Sequence, residues 1–70
     1  MKENEIVVKE GEEIKVKIIG IGRKGDGVAK HKGFTIIVPN ASFEEVYDVR
    51  ITSVFKTYAF AMKLEEMKNG

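Results

Sequence analysis

A small all-β protein, folded as a barrel of five short antiparallel strands, is predicted by three features of this sequence. Short runs in which apolar and polar residues alternate recur along the chain, as half-buried strands require. Glycine-containing turn signals separate those runs. With 70 residues the chain is near the lower limit for a hydrophobic core of its own. An open sheet of this size would expose its edges and pack one face only, whereas closure pairs the edges.

Residues 1–10 are polar apart from Ile6-Val7-Val8 and read as a flexible N-terminal arm. Gly11-Glu12-Glu13 leads into the first strand, with Ile14, Val16 and Ile18 on one face and Glu13, Lys15 and Lys17 on the other. The alternation breaks at Ile18-Ile19-Gly20-Ile21, where a long strand is expected to bend at its glycine. The turn Gly22 to Gly27 follows, with Asp26-Gly27 as its hairpin signal and φ > 0 expected at Gly27. Val28 to His31 is a short second strand, and Lys32-Gly33 turns into a third over Phe34 to Val38, closed by Pro39. Asn40 tolerates the left-handed conformation. Ser42-Phe43-Glu44-Glu45 fits a capping box and predicts one helical turn. The fourth strand is Tyr47 to Lys56. The fifth, Tyr58 to Leu64, sets Tyr58, Phe60, Met62 and Leu64 against Ala59, Ala61 and Lys63. Residues 65–70 read as a polar tail. An OB-like or SH3-like barrel accommodates this strand count and the long, bent first strand.

Composition narrows the function. With 43% hydrophobic and 33% charged residues and no cysteine, neither disulfides nor thiolate metal sites are available, and a reducing cytoplasmic setting is expected. Met1 to Glu13 carries five glutamates and no apolar stretch of signal-peptide length, so no secretory leader is expected there. No apolar run approaches the roughly 20 residues of a membrane helix. The net charge of +1 hides an uneven distribution: residues 15–32 hold six Lys or Arg against Asp26 alone, whereas residues 1–14 hold two Lys against five Glu.

The stretch Ile18 to Val38 contains five of the seven glycines, set among Arg23, Lys24, Lys30, His31 and Lys32. Gly20-x-Gly22-x-x-Gly25 matches the dinucleotide fingerprint in its letters. That motif needs a helix directly after the third glycine to hold the pyrophosphate. Here Gly33 follows too soon after Val28 for any helix, so this reading fails.

The order of motifs, Gly11-Glu12-Glu13, then IGRKGDGVAK over residues 21–30, then Gly33-Phe34 with Val38-Pro39, and Tyr58-Ala59-Phe60-Ala61, resembles the TRAM domain across residues 11–64. The resemblance implies an OB-like barrel that binds RNA, found attached to enzymes that modify transfer RNA and as free-standing archaeal proteins likened to cold-shock RNA chaperones. The chain is similar to the free-standing kind. It departs from the usual pattern at Asn40 and at Glu44-Glu45, where glycine is common. The segment Val54-Phe55-Lys56-Thr57 replaces a stretch that is often arginine-rich.

Binding nucleic acid without reading its sequence requires cations along the phosphates and aromatic planes under the bases. The cation candidates are Arg23, Lys24, Lys30, Lys32, Arg50 and Lys56, with His31 able to add charge beside a phosphate. The aromatic candidates are Phe34, Phe55, Tyr58 and Phe60. A narrow barrel needs small inward residues, which suits Ala59 and Ala61 and turns Tyr58 and Phe60 outward. His31 has no second ligand residue, so no metal site is expected. No catalytic triad or carboxylate dyad is recognisable, so neither enzymatic activity nor a cofactor is expected. The reading is a monomeric, cytoplasmic, non-catalytic RNA-binding barrel, an RNA chaperone for single-stranded or structured RNA including transfer RNA. The alternative is a protein-interaction barrel or accessory subunit of an RNA-modifying enzyme, docking through its aromatic strand.

Overall fold

The computed structural model describes residues 8–67. In chain order the elements are β1 (Glu13–Lys17), β2 (Gly20–Ile21), β3 (Gly27–His31), β4 (Phe34–Val38), β5 (Val46–Val54), β6 (Tyr58–Lys63) and α1 (Leu64–Met67). The strands form one sheet in the order β1-β5-β6-β4-β3-β2. Its two outermost strands, β1 and β2, are separated in the chain only by Ile18 and Ile19, so the sheet has to curl back on itself. At that junction the backbone changes partners. The Ile18 N–H donates to the Glu45 carbonyl at 2.9 Å, and the Ile19 N–H donates to the Val28 carbonyl at 2.7 Å. This is an all-β, curled sheet of the OB-like class.

It departs from the expected barrel in two respects. Among the described residues there are six strands rather than five, because the long first strand is broken where it switches from β5 to β3. The sheet is also not wholly antiparallel: β4 and β6 run parallel, with Thr35, Ile36 and Ile37 opposite Tyr58, Ala59 and Phe60. The parallel pair brings together the start of β4 and the start of β6, and the Thr35 N–H donates to the Thr57 carbonyl at 3.2 Å.

Period-two alternation builds the core. Val16, Ile18, Ala29, Ile36, Val38, Val49, Ile51, Ala59 and Ala61 point inward and are buried. Val8 and Ala41 join them from outside the strands. Val8 is 5% exposed, so the last part of the expected arm is tied into the core, while residues 1–7 lie outside the described residues. Of the expected tail, residues 65–67 belong to α1, and residues 68–70 lie outside the described residues.

On β5 the extra residue Thr52 forms a bulge between the pairs Ile51–Ala61 and Ser53–Phe60. Its Oγ1 donates to the Phe60 carbonyl at 3.2 Å. The bulge inverts the facing of the residues after it, so Val54 packs against the core and Ser53 does not.

Several turns among the described residues need special backbone. Lys32 and Gly33 link β3 and β4 with φ of 52° and 86°, a two-residue type I′ connection whose twist matches its strands. Asn40 has φ of 60°, within its tolerance of the left-handed region. Over Ser42–Glu45 the expected helical turn is a β-turn instead. The Glu45 N–H donates to the Ser42 carbonyl at 3.2 Å, and Glu44 at φ of 71° cannot continue a right-handed helix.

Gly27 serves a different purpose from the expected one. Its φ is not positive; Gly25 is the glycine of that turn with φ of 90°. Gly27 is buried, and a Cβ there would meet Ala41 Cβ at 2.8 Å and Ile18 Cδ1 at 3.1 Å. The constraint is close approach, not conformation. We therefore expect Gly27→Val to destabilise by about 1–3 kcal/mol through overpacking; a denaturant midpoint equal to that of the wild type would refute it. Lys32→Asn should act the other way, since asparagine suits a type I′ turn better than lysine. A gain on the order of 0.5–1 kcal/mol is expected, and a lowered melting temperature would contradict this account of the turn.

Candidate functional site

Register fixes which side chains share the convex face of the sheet. One row across the strands runs Lys30, Thr35, Tyr58, and the next runs Val28, Ile37, Phe60, Ser53. Between them lies the inward row Ala29, Ile36, Ala59, whose members are all 0% exposed. A third outward row runs Met62, Arg50, Glu13, and a fourth pairs Asp48 with Lys15.

Tyr58 and Phe60 are each 37% exposed, and Phe55, in the turn before β6, is 44% exposed. That turn is closed by the Phe55 N–H donating to the Tyr58 carbonyl at 2.8 Å. The turn lays the Phe55 ring on the Tyr58 ring, with centroids 4.8 Å apart and planes 19° from parallel. Phe60 meets both edge-on, at 5.7 Å from Phe55 and 5.8 Å from Tyr58, with planes nearly perpendicular to each. Three rings thus form one exposed cluster of preferred aromatic geometries. With Met62 beside it, also exposed, β6 presents its large apolar residues outward and its alanines inward.

The cations distribute unevenly around this cluster. Lys30 shares the row of Tyr58, Lys32 lies in the turn at that end of β3, and Lys56 lies in the turn between Phe55 and Tyr58; all three are exposed. Arg23 and Lys24 are exposed in the glycine loop at the other end of β3, about 13 Å away along the strand. Among the described residues, no acid stands within ion-pair distance of any of these five.

Three expected site residues are placed apart from the cluster. Phe34 shares the facing of Ile36 and Val38 and packs against the core. His31 shares the inward facing of Ala29, is half-buried, and its Nε2 is buried without a hydrogen-bond partner among the described residues. Arg50 is outward, but its guanidinium is held by Glu13, with Nε donating to Oε2 at 3.1 Å. Lys15 and Asp48 pair beside it at 3.0 Å.

One buried cation escaped the sequence reading as a distinct feature. Lys63, 9% exposed, donates from Nζ to the Asn40 carbonyl at 2.6 Å. The same nitrogen lies 5.0 Å from the centre of the Tyr47 ring and 3.7 Å from a Glu66 carboxylate oxygen. The Tyr47 hydroxyl in turn accepts from the Ser42 N–H at 2.9 Å. Together these bonds hold the β4–β5 connection against β5 and the end of β6. The available signal was the shared facing of Lys63 with Ala59 and Ala61.

Among the described residues no group of three His, Asp or Glu side chains could hold a metal ion, and no helix is long and apolar enough to cross a membrane. A curled OB-like sheet with solvent-facing aromatic rings and a cationic flank defines a small binding module with an open, convex face. The chain belongs to the TRAM domain family, whose model matches residues 7–64. It is 44% identical over 84% of its length to an uncharacterised protein of Methanocaldococcus jannaschii, of which it spans 77%. It is 39% identical to translation initiation factor 2 subunit beta of Methanothrix thermoacetophila, and 41% identical to ribosomal RNA large subunit methyltransferase E of Natronomonas pharaonis. It spans only 28% and 23% of those two proteins. Among solved structures, a conserved protein of Methanococcus maripaludis superposes with a TM-score of 0.76 at 40% identity, covering 81% of each chain.

The outward placement of Phe60 fixes the expected stability of Phe60→Ala. Two edge-on ring contacts are lost, each worth about 0.5–1.5 kcal/mol. Filling of the core is untouched. The variant should remain folded with a loss of about 1–3 kcal/mol, below the roughly 3–5 kcal/mol of a buried phenylalanine; collapse of its thermal transition would contradict the outward placement.

Proposed function

We propose that this chain is a non-catalytic RNA-binding module that acts on single-stranded or weakly structured RNA, transfer RNA included. It works in the cytoplasm with little preference for sequence. The observation that carries this reading is the exposed cluster of Phe55, Tyr58 and Phe60 with Lys30, Lys32 and Lys56 at its end of the sheet. Open aromatic planes accept any base, because every base has a π-face, and cations beside them meet the phosphates. The family match agrees with it, as do the relatives named for translation initiation and ribosomal RNA methylation.

Ring geometry supports a chaperone role. The Tyr58 and Phe60 planes lie 86° apart, so two neighbouring bases lying flat on them would be turned out of register with each other. The two residues are also about 6.6–6.8 Å apart along β6, against a rise of about 3.4 Å per base in a stacked strand. Binding at both rings therefore favours the unstacked strand over the hairpin.

Removing both rings, as Tyr58→Ala/Phe60→Ala, should weaken binding of an unstructured RNA by about 1–3 kcal/mol per ring and abolish opening of a weak hairpin. Fluorescence titration and a hairpin-opening assay read the two effects. For the wild type, log K should fall against log salt with a slope near −0.7 per phosphate contact. No measurable wild-type affinity for RNA would refute this reading, and tight, salt-indifferent capture of a protein partner through the same rings would favour the interaction-barrel alternative.

A further inference from the structure

The convex face has two chemically different flanks, one on each side of the aromatic strand. Toward β3 lie Lys32, Lys30 and, past Val28, the loop carrying Arg23 and Lys24; Asp26 is the single acid among them. Toward β5 and β1, Arg50 is held by Glu13 and Lys15 by Asp48, so that flank carries no net charge from its paired side chains. The β6 rings stand between the flanks, two strands away from β3, or about 10 Å.

We infer that the bound strand runs along β6, not across the sheet, with its phosphates over the β3 flank and its bases laid toward the β6 rings. This path rests on the RNA-binding reading above. A strand crossing the sheet would carry its phosphates from the cations of β3 over the rings and onto the Glu13–Arg50 and Lys15–Asp48 pairs. There Arg50 and Lys15 would have to leave their acids, and the freed carboxylates would repel the phosphates. A strand running along β6 meets Lys32, Lys30 and then Arg23 and Lys24 in succession, with a gap at Val28. The glycine loop is then the far end of a cationic rail. It is reached only by an RNA long enough to extend the additional 13 Å or so of β3.

The path has a length signature. Salt dependence of binding would be measured with the ribodinucleotide UU, whose one interval of about 6.6–6.8 Å stops short of the loop, and the decanucleotide U10, on the wild type and on three variants whose folding is checked by thermal melts. Lys30→Ala should make the slope of log K against log salt shallower by about 0.7 for both RNAs. Arg23→Ala/Lys24→Ala should leave UU unchanged and make the U10 slope shallower by about 1.4, two contacts. Arg50→Ala should change neither slope. A loss with Arg50→Ala matching that of Lys30→Ala would overturn the path and place the strand across the sheet. So would equal losses on both RNAs with Arg23→Ala/Lys24→Ala. In either case the RNA-binding reading itself would stand, since the wild type would still bind; absence of wild-type binding to U10 would remove both.

Discussion

Closure of the sheet depends on the contact of Ile18 and Ala41 across the missing side chain of Gly27. Ile18 is where the backbone leaves β5 and takes up β3, and its side chain is fully buried. For the curl to be tight enough, β3 has to approach that side chain and the β4–β5 connection at once. A single Cβ at Gly27 would stand 2.8 Å from Ala41, closer than packed carbons tolerate. The strand switch, the connection that begins at Pro39 and the start of β3 are therefore one packing problem. The Lys63 bonds to Asn40 and the Tyr47 bond to Ser42 hold the same connection from its other side. A cation largely withdrawn from water is stabilised there by a carbonyl, an aromatic face and a nearby carboxylate, which offset its lost hydration.

Tight curl has a consequence for composition. The interior is narrow, and where β6 crosses it the inward positions are Ala59 and Ala61, each all but inaccessible. At those two positions large side chains have no room and the rings lie on the convex face; Lys63, at the end of the strand, points inward and finds the Asn40 carbonyl. The exposed rings are thus a product of closure together with a parity that no other strand of the sheet carries so cleanly. The Thr52 bulge completes the arrangement by setting Ser53 opposite Phe60, which leaves the neighbouring position on β5 small and the rings uncovered.

Much of this was legible from short-range pattern. The alternation of β6, the hairpin at Lys32-Gly33 and the left-handed Asn40 each follow from two to six neighbouring residues, where sequence speaks most directly. Long-range pairings were not legible. The parallel register of β4 with β6 joins residues far apart in the chain, and with it comes the meeting of the Lys32 and Lys56 turns. Arg50 read as an available cation because Glu13, 37 residues away, holds no sequence-local relation to it. Phe34 read as a stacking candidate because it is one of the few aromatic residues; its facing is set by the pairing with His31 across the hairpin, which carries both residues inward. At Gly27 a glycine was rightly expected to be necessary, but the reason lay in Ala41, a residue from another element. At Glu44 the capping-box letters were present, and the connection back to Ile18, whose carbonyl accepts from the Glu44 N–H at 2.8 Å, drew the backbone into a turn instead.

The strict alternation of β6 also separates two kinds of inheritance within six residues. Positions 59, 61 and 63 answer to the interior, where a change of one methyl group is felt. Positions 58, 60 and 62 answer to whatever lies on the convex face, with the contacts among the Phe55, Tyr58 and Phe60 rings as the main constraint on the first two. A lineage of such domains could exchange the outward set freely, altering which partners it holds and how tightly, while the inward set keeps the architecture unchanged. One strand thereby lets recognition drift without asking the fold to follow.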